Sequence, residues 1–234
     1  INTSGICPRV VVHDDGSFDQ GTKKKLEDKF PELRVLSLEK ADELINNMTG
    51  LSPKLLEHRN HGHKLIYKLV DIFLLSRTEK VMVLDSDVLF FNRPEEILKF
   101  INENPDCDSL ISRHDGSCDL MLLPDYSTKH DILKNEAGYM NSGIIFYKKD
   151  KIGDDKLLEY FENTLREPGD YFVEMTGWAS LIAQTKFKFL TKERYVVKGR
   201  PETNTVAKHF TSPRRHEFYI YGIDMVRKGI LEHE

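Results

Sequence analysis

The chain has 234 residues, of which 39% are hydrophobic and 31% are charged, and its net charge is −4. This predicts one globular domain over residues 1–234, with a small acidic excess that gives no reason to expect nucleic-acid binding. The longest apolar runs are far too short to cross a membrane. Cys7, Cys107 and Cys118 are odd in number and match no metal-ligand spacing. We therefore expect reduced thiols in a cytoplasmic protein, with peripheral membrane attachment left open.

The first half of the chain alternates strand-like and helix-like segments. Apolar runs predict strands at residues 8–13, 33–37 and 81–84, and helical spacing predicts helices at residues 22–30, 41–48, 64–75 and 95–100, with a polar loop at residues 58–63. This alternation is typical of sheets with right-handed crossovers. We predict a single-domain α/β fold with a mixed, mostly parallel central sheet flanked by helices.

The second half is less regular. Strands are predicted near residues 107–112, 144–147 and 187–190, helices at residues 155–166 and 177–184, and mainly loop at residues 114–130. Residue 1 is Ile rather than Met. We expect the chain to begin inside a longer protein or after a processed segment.

Two aspartates, Asp85 and Asp87, end the apolar run that starts at Val81. A continuous apolar run indicates a parallel strand covered on both faces, and ligands bind at the carboxyl ends of such strands. Alternate residues of an extended chain point the same way, so the two carboxylates are expected to converge. Because converging carboxylates repel each other, a divalent metal that carries a phosphorylated ligand is the natural occupant. The alternative is a solvated turn.

Other polar residues are expected near this strand end. Asp14 and Asp15 end the first predicted strand, where an aspartate can accept hydrogen bonds from a ribose or a base, or can simply form a turn. Lys64 and Lys68 lie one turn apart on the helix before Asp85. They either neutralise a diphosphate or are solvated surface residues.

Two later segments carry further candidates. Asn141-Ser142-Gly143 precedes an apolar strand, where Asn141 can contact sugar hydroxyls and Gly143 can allow close approach of a ligand, although an ordinary turn has the same composition. His209 is a candidate third metal ligand beside two carboxylates, although a lone histidine is more often structural or exposed.

Together these segments resemble the GT-A nucleotide-sugar glycosyltransferases. The likeness is nearest to the family-8-like group of glycogenin and the bacterial lipopolysaccharide galactosyltransferases. It rests on residues 80–89 with Asp85 and Asp87, on residues 94–98, on residues 141–145 and on His209-Phe210, and it covers about residues 60 to 215. The resemblance implies a GT-A fold and a metal-dependent hexosyltransferase with a UDP-sugar donor and a glycan or lipid-linked acceptor.

The resemblance also implies roles for individual residues. Asp85, Asp87 and His209 would hold Mn²⁺ or Mg²⁺, which would neutralise charge on the departing UDP. The implied donor-binding residues are Asp14, Asp15, Lys64, Lys68, Ser86 and Arg214, with Arg214 or Arg215 in place of the lysine that the group carries after the late histidine.

Two catalytic residues are implied as well. Asn141 would contact the donor sugar, and Glu174 stands where the group has an Asp-Gln pair. Trp178 offers a stacking face for an acceptor sugar, beside the irregular region at residues 112–140. The group normally has one more nucleotide-binding strand before the strand that ends at Asp14, so we expect either that this N-terminal strand is missing or that the fold is trimmed. The resemblance favours transfer with retention of configuration. The alternatives are a catalytically silent nucleotide- or glycan-binding module and a nucleotidyltransferase.

Overall fold

A computed structural model describes residues 8–103, 105–132, 136–212 and 214–231 of the chain, and only the backbone of residues 229–231. Cys7 lies outside this part; Cys107 and Cys118 are free thiols. The strands within it are β1 (Val10–His13), β2 (Leu33–Leu36), β3 (Lys80–Leu84), β4 (Val88–Phe90), β5 (Ser109–Arg113), β6 (Met140–Lys148), β7 (Phe187–Phe189), β8 (Tyr195–Val196) and β9 (Ala207–His209).

The helices lie between and around these strands. They are α1 (Gln20–Lys29), α2 (Leu38–Asn46), α3 (Pro53–His61), α4 (Ile66–Leu75), α5 (Glu95–Asn102), α6 (Pro124–Lys129), α7 (Asp154–Asn163), α8 (Val173–Ala183), α9 (Arg215–Glu217) and α10 (Ile223–Leu231). Short 3₁₀ turns occupy Ala137–Tyr139 and Lys149–Lys151, and a π-helical turn at Phe218–Gly222 joins α9 to α10. Among the described helices, none has the length and apolar character needed to span a membrane.

The strands form three hydrogen-bonded groups. A four-stranded sheet has the order β3-β6-β5-β7, a three-stranded sheet has the order β4-β9-β8, and β1 pairs with β2. The predicted α/β class with a mixed sheet and flanking helices is confirmed. The parallel share is smaller than expected, because β6 runs antiparallel to both β3 and β5. The apolar pattern of β3 carries no information on the direction of its neighbour. It also overstates burial, because Val81 and Val83 are buried while Leu84 on the other face is 45% exposed.

The long strand β6 separates two apolar cores. Ile145 and Tyr147 face the larger core, which is filled from α4, α7 and α8. Ile144 and Phe146 face the smaller core, which includes side chains of α5 and β8. Alternate residues of a strand point to opposite faces, so a strand buried on both sides must be apolar at every position. This is the reason for the unbroken apolar run.

One predicted loop is a helix. Residues 58–63 were expected to form a polar loop, but α3 runs through His61, with Ser52 as its N-cap accepting a hydrogen bond from the Leu55 N–H at 3.1 Å. The polar side chains of His58 and Arg59 are almost completely buried. The prediction failed because these two polar residues are packed inside, where Arg59 is paired with Asp71 at 2.7 Å.

Candidate metal centre

Asp85 and Asp87 lie in the short turn that connects the two larger sheets. The Asp85 N–H donates to the Gly143 carbonyl on β6 at 3.0 Å, and the Asp87 carbonyl accepts from the Phe210 N–H at 2.9 Å. The turn is therefore tied to β6 on one side and to the end of β9 on the other. Its two carboxylates are placed at the junction between the sheets.

His209 completes the cluster from β9, where it is paired in register with Val88. Its Nε2 lies 3.3 Å from Oδ2 of Asp85 and 3.1 Å from Oδ1 of Asp87. One ligand atom from each of the three residues lies within 4.8 Å of the others. Ligands about 2.1 Å from an octahedral cation are about 3 Å apart along an edge. The three predicted ligand residues are thus brought together with spacings that suit a divalent cation.

The tautomer of His209 follows from its neighbours. Nδ1 of His209 lies 2.7 Å from Oδ1 of Asn141, and the same oxygen accepts the Gly143 N–H at 3.1 Å. A backbone N–H can only donate, so it fixes the orientation of the Asn141 amide and makes Nδ1 of His209 the donor. In neutral imidazole, Nε2 then carries a lone pair directed toward two carboxylates. That contact becomes favourable when Nε2 gains a proton or binds a cation, which is the usual arrangement of a metal-ligating histidine.

Each aspartate presents one oxygen to His209 and gives the other to a basic side chain. Lys68 lies 2.6 Å from Oδ1 of Asp85, and Nε of Arg215 lies 3.0 Å from Oδ2 of Asp87. Burial raises the pKa of Asp87, but His209, when its Nε2 carries a proton, and the Arg215 guanidinium outweigh the burial and hold that pKa below its ordinary value. The Asp87 carboxylate is therefore ionised at neutral pH, as a metal ligand must be.

A buried ion pair lies behind Asp85. The Lys68 ammonium lies 3.1 Å from Oε1 of Glu174 and donates to the Ser142 hydroxyl at 3.2 Å, while that hydroxyl donates to Oε2 of Glu174 at 3.0 Å. Burial lowers the pKa of Lys68, but the Glu174 and Asp85 carboxylates outweigh this effect and raise it. Burial raises the pKa of Glu174, and Lys68 opposes that shift. Asp85 and Glu174, which are far apart in sequence, thus share one lysine.

The aspartates at the end of β1 form a turn. Oδ1 of Asp14 accepts the N–H groups of Gly16 and Phe18 at 2.8 and 3.1 Å, and Asp15 accepts the N–H of Ser17 at 3.1 Å. The expectation that β1 and β3 end at one edge of a common sheet is wrong, because β1 pairs only with β2 among the described strands.

Helix α4 and the residues before it link this turn to the metal cluster. Nζ of Lys64 lies 4.0 Å from Asp15, and Lys68, four residues later, contacts Asp85. Lys64 and Asp15 are both substantially exposed, so their contact is a weak one. The roles of Asp14, Asp15 and Lys64 in donor binding stay predictions.

Three further candidates occupy different environments. Ser86 is exposed between the two aspartates. Arg214 is half-buried, and the contact to Asp87 comes from its neighbour Arg215. Trp178 is fully buried in α8 against Phe73 and Tyr147. The expectation that Trp178 stacks on a sugar is therefore wrong, because its ring is part of the larger core.

Sequence reasoning gave no role to Ser142 and placed Asn141 and Gly143 in a turn. The structure places all three residues inside β6 and against the metal cluster. A Cβ added at Gly143 would lie 2.2 Å from Nδ1 of His209, so the glycine makes room for the imidazole and not for a ligand. In the sequence, the signal that these residues face a site is a polar triplet directly before an apolar run.

No protein-family model and no curated protein matches this chain. Among solved structures, the crystal structure of mouse xyloside xylosyltransferase 1 in its apo form is similar, with a TM-score of 0.48 and 11% sequence identity. The similar region covers 84% of this chain and 83% of that one.

Proposed function

We propose that this chain is a metal-dependent glycosyltransferase of the GT-A type, which moves a hexose from a UDP-sugar to a hydroxyl group of a glycan or lipid-linked acceptor. The observation that carries the proposal is the convergence of Asp85, Asp87 and His209. These residues would hold Mn²⁺ or Mg²⁺, which supplies charge neutralisation for the diphosphate leaving group when it is bound.

The charges around the cluster support a diphosphate ligand. The site has three carboxylates, Asp85, Asp87 and Glu174, and two basic side chains, Lys68 and Arg215. With all three carboxylates ionised and His209 neutral, it carries one excess negative charge. A divalent cation would reverse that sign and create a local attraction for an anionic leaving group. Arg215, whose side chain is 61% exposed, can turn toward such a ligand, and Arg214 is adjacent to it.

The remaining residues are assigned by position and by the resemblance. Asp14, Asp15, Lys64 and Ser86 are proposed to contact the nucleotide. Glu174, buried behind Lys68, is proposed as the catalytic carboxylate that stabilises positive charge on the transferred sugar.

Asn141 is proposed to contact the donor sugar through its amide nitrogen, because its oxygen is already engaged with His209. Transfer with retention of configuration is part of the proposal.

The proposal is tested by measuring UDP release from UDP-hexoses with and without Mn²⁺. The Asp85→Asn/Asp87→Asn double variant is expected to lose release and metal-dependent stabilisation by UDP while remaining folded. Asp28→Asn removes an exposed carboxylate from α1 and should behave as the unaltered protein. Undiminished UDP release by the double variant would contradict the proposal.

A second outcome separates an enzyme from a binding module. Stabilisation by UDP and Mn²⁺ without hydrolysis or transfer to any acceptor would identify a silent nucleotide-binding domain. Release of pyrophosphate from a nucleoside triphosphate would instead identify a nucleotidyltransferase.

A further inference from the structure

Strand β6 is irregular where it meets the metal cluster. Ile111 and Ser112 are consecutive on β5, but their partners on β6 are Ile145 and Asn141. Residues 142–144 therefore have no partner on β5 and form a bulge. Bulges of this kind redirect side chains and are frequent beside active sites.

The residues at and in this bulge contact the site. Asn141 accepts the Nδ1–H of His209, and Ser142 bonds both members of the Lys68–Glu174 pair. Gly143 accepts the N–H of Asp85 through its carbonyl. In a regular ladder, neighbouring side chains would alternate between the two faces of the sheet. The bulge allows adjacent residues to serve the same site.

The Ser112 hydroxyl lies against this bulge. Its oxygen is 2.8 Å from the Asn141 carbonyl and 3.3 Å from both Oδ1 of Asn141 and the Ile144 carbonyl. These acceptors stand at the two ends of the bulge, and Ser112 is only 2% exposed. A buried carbonyl outside the regular ladder needs another donor, and the Ser112 hydroxyl lies within hydrogen-bonding distance of the Ile144 carbonyl in the part of β6 that has no partner on β5.

We propose that Ser112 is a positioning residue of the metal centre. Its hydroxyl holds the bulge in the shape that aims the Asn141 oxygen at His209, and it thereby sets metal affinity without touching the metal. The inference rests on the metal site of the proposed function. Ser112 lies near the end of the apolar strand β5, and its position in the sequence alone does not indicate a role at the metal centre.

The test compares two buried serines on the same strand. Ser112→Ala removes the hydroxyl at the bulge. Ser109→Ala removes the hydroxyl of a fully buried serine whose partner is Thr185, at 3.2 Å, and not a residue of the bulge. Mn²⁺ binding is titrated by the electron paramagnetic resonance signal of the free ion, alongside thermal unfolding. Loss of an outer hydrogen-bond partner typically lowers metal affinity by about 10–100-fold. We expect that loss for Ser112→Ala and unchanged affinity for Ser109→Ala.

The outcomes are distinguishable. If the unaltered protein binds no Mn²⁺, the proposed function fails, whatever Ser112 does. If it binds Mn²⁺ and Ser112→Ala binds equally well, the positioning role is overturned. Ser112→Cys keeps nearly the same volume with a weaker donor, so it provides the test should the alanine variant not fold. Reduced affinity supports the role, and unchanged affinity overturns it.

Discussion

Oδ1 of Asn141 and Nδ1 of His209 lie 2.7 Å apart although the residues are separated by 68 positions in the chain. This hydrogen bond determines which imidazole nitrogen carries the proton, and it leaves Nε2 directed at Asp85 and Asp87. The residue that sequence reasoning assigned to the sugar therefore also orients a candidate metal ligand.

Asn141→Ala is expected to weaken Mn²⁺ binding by about 10–100-fold, because His209 loses the partner that fixes its tautomer. Isothermal titration calorimetry measures the change. Asn163→Ala is the control, since the Asn163 amide donates to a carbonyl on α7, at Glu159. Equal affinity in the two variants would show that the Asn141 contact does not orient the ligand.

Gly143→Ala is expected to abolish metal-dependent stabilisation. The added Cβ would lie 2.2 Å from Nδ1 and 2.6 Å from Cε1 of His209, so the imidazole must move. Gly116→Ala is matched to it because a Cβ there has no atom within 4 Å. The comparison is a thermal shift with and without Mn²⁺, and an unchanged shift for Gly143→Ala would contradict the close packing.

Lys68→Met is expected to destabilise the fold by about 3–5 kcal/mol, because removing one partner leaves Glu174 buried and uncompensated. Adding Glu174→Gln should recover part of this loss. Urea unfolding of the single and double variants gives the coupling free energy. Lys64→Met removes an exposed lysine of the preceding turn and is expected to cost less than about 1 kcal/mol. Additive effects at Lys68 and Glu174 would show that the two residues are not coupled.

Arg59 allows a comparison of buried and exposed ion pairs within one network. Its guanidinium makes two hydrogen bonds to fully buried Asp71, at 2.7 and 2.9 Å, and one contact at 2.8 Å to Asp42, which is 45% exposed. Asp71→Asn should cost about 3–5 kcal/mol of unfolding free energy.

Asp42→Asn should cost at most about 1 kcal/mol. Chemical denaturation of the two variants measures both losses of unfolding free energy, and similar losses would contradict the expectation that the buried pair contributes more.

His13 at the end of β1 also contacts Asp71, at 2.8 Å. Asp71→Asn should therefore loosen the turn that follows β1, measurable as faster amide hydrogen exchange at Gly16 and Ser17.

Trp178→Ala is expected to lower the unfolding free energy by about 3–5 kcal/mol, because a large buried ring leaves a cavity. Tyr171→Ala, at a ring that is 50% exposed, should change it by about 0.5 kcal/mol. Differential scanning calorimetry separates the two. A folded Trp178→Ala protein of unchanged stability would contradict the core role of this ring and favour the prediction that it stacks on an acceptor sugar.

Burial and element type could largely be predicted, because they depend on local patterns. The apolar run after Gly143 does lie between two cores, whereas in the run before Asp85 only Val81 and Val83 are buried, and Leu84 is 45% exposed. The direction of β6 and the burial of Arg59 could not be predicted, because each depends on a partner far along the chain. The prediction for Trp178 was wrong for a related reason, since the sequence does not distinguish a tryptophan in a core from one at a sugar-binding surface.

The sequence by itself determined the chemistry available at the centre: two carboxylates one residue apart, a late imidazole, and a polar triplet before an apolar strand. These follow from residue type and spacing along one chain segment. Only the tertiary structure decided how the groups meet. Asn141, at the edge of the β6 bulge, contacts His209, Gly143 leaves space for the ring, and Lys68 joins Asp85 to Glu174. Hydrogen bonds and packing between distant segments depend on distances of a few ångströms, and no local pattern encodes those distances.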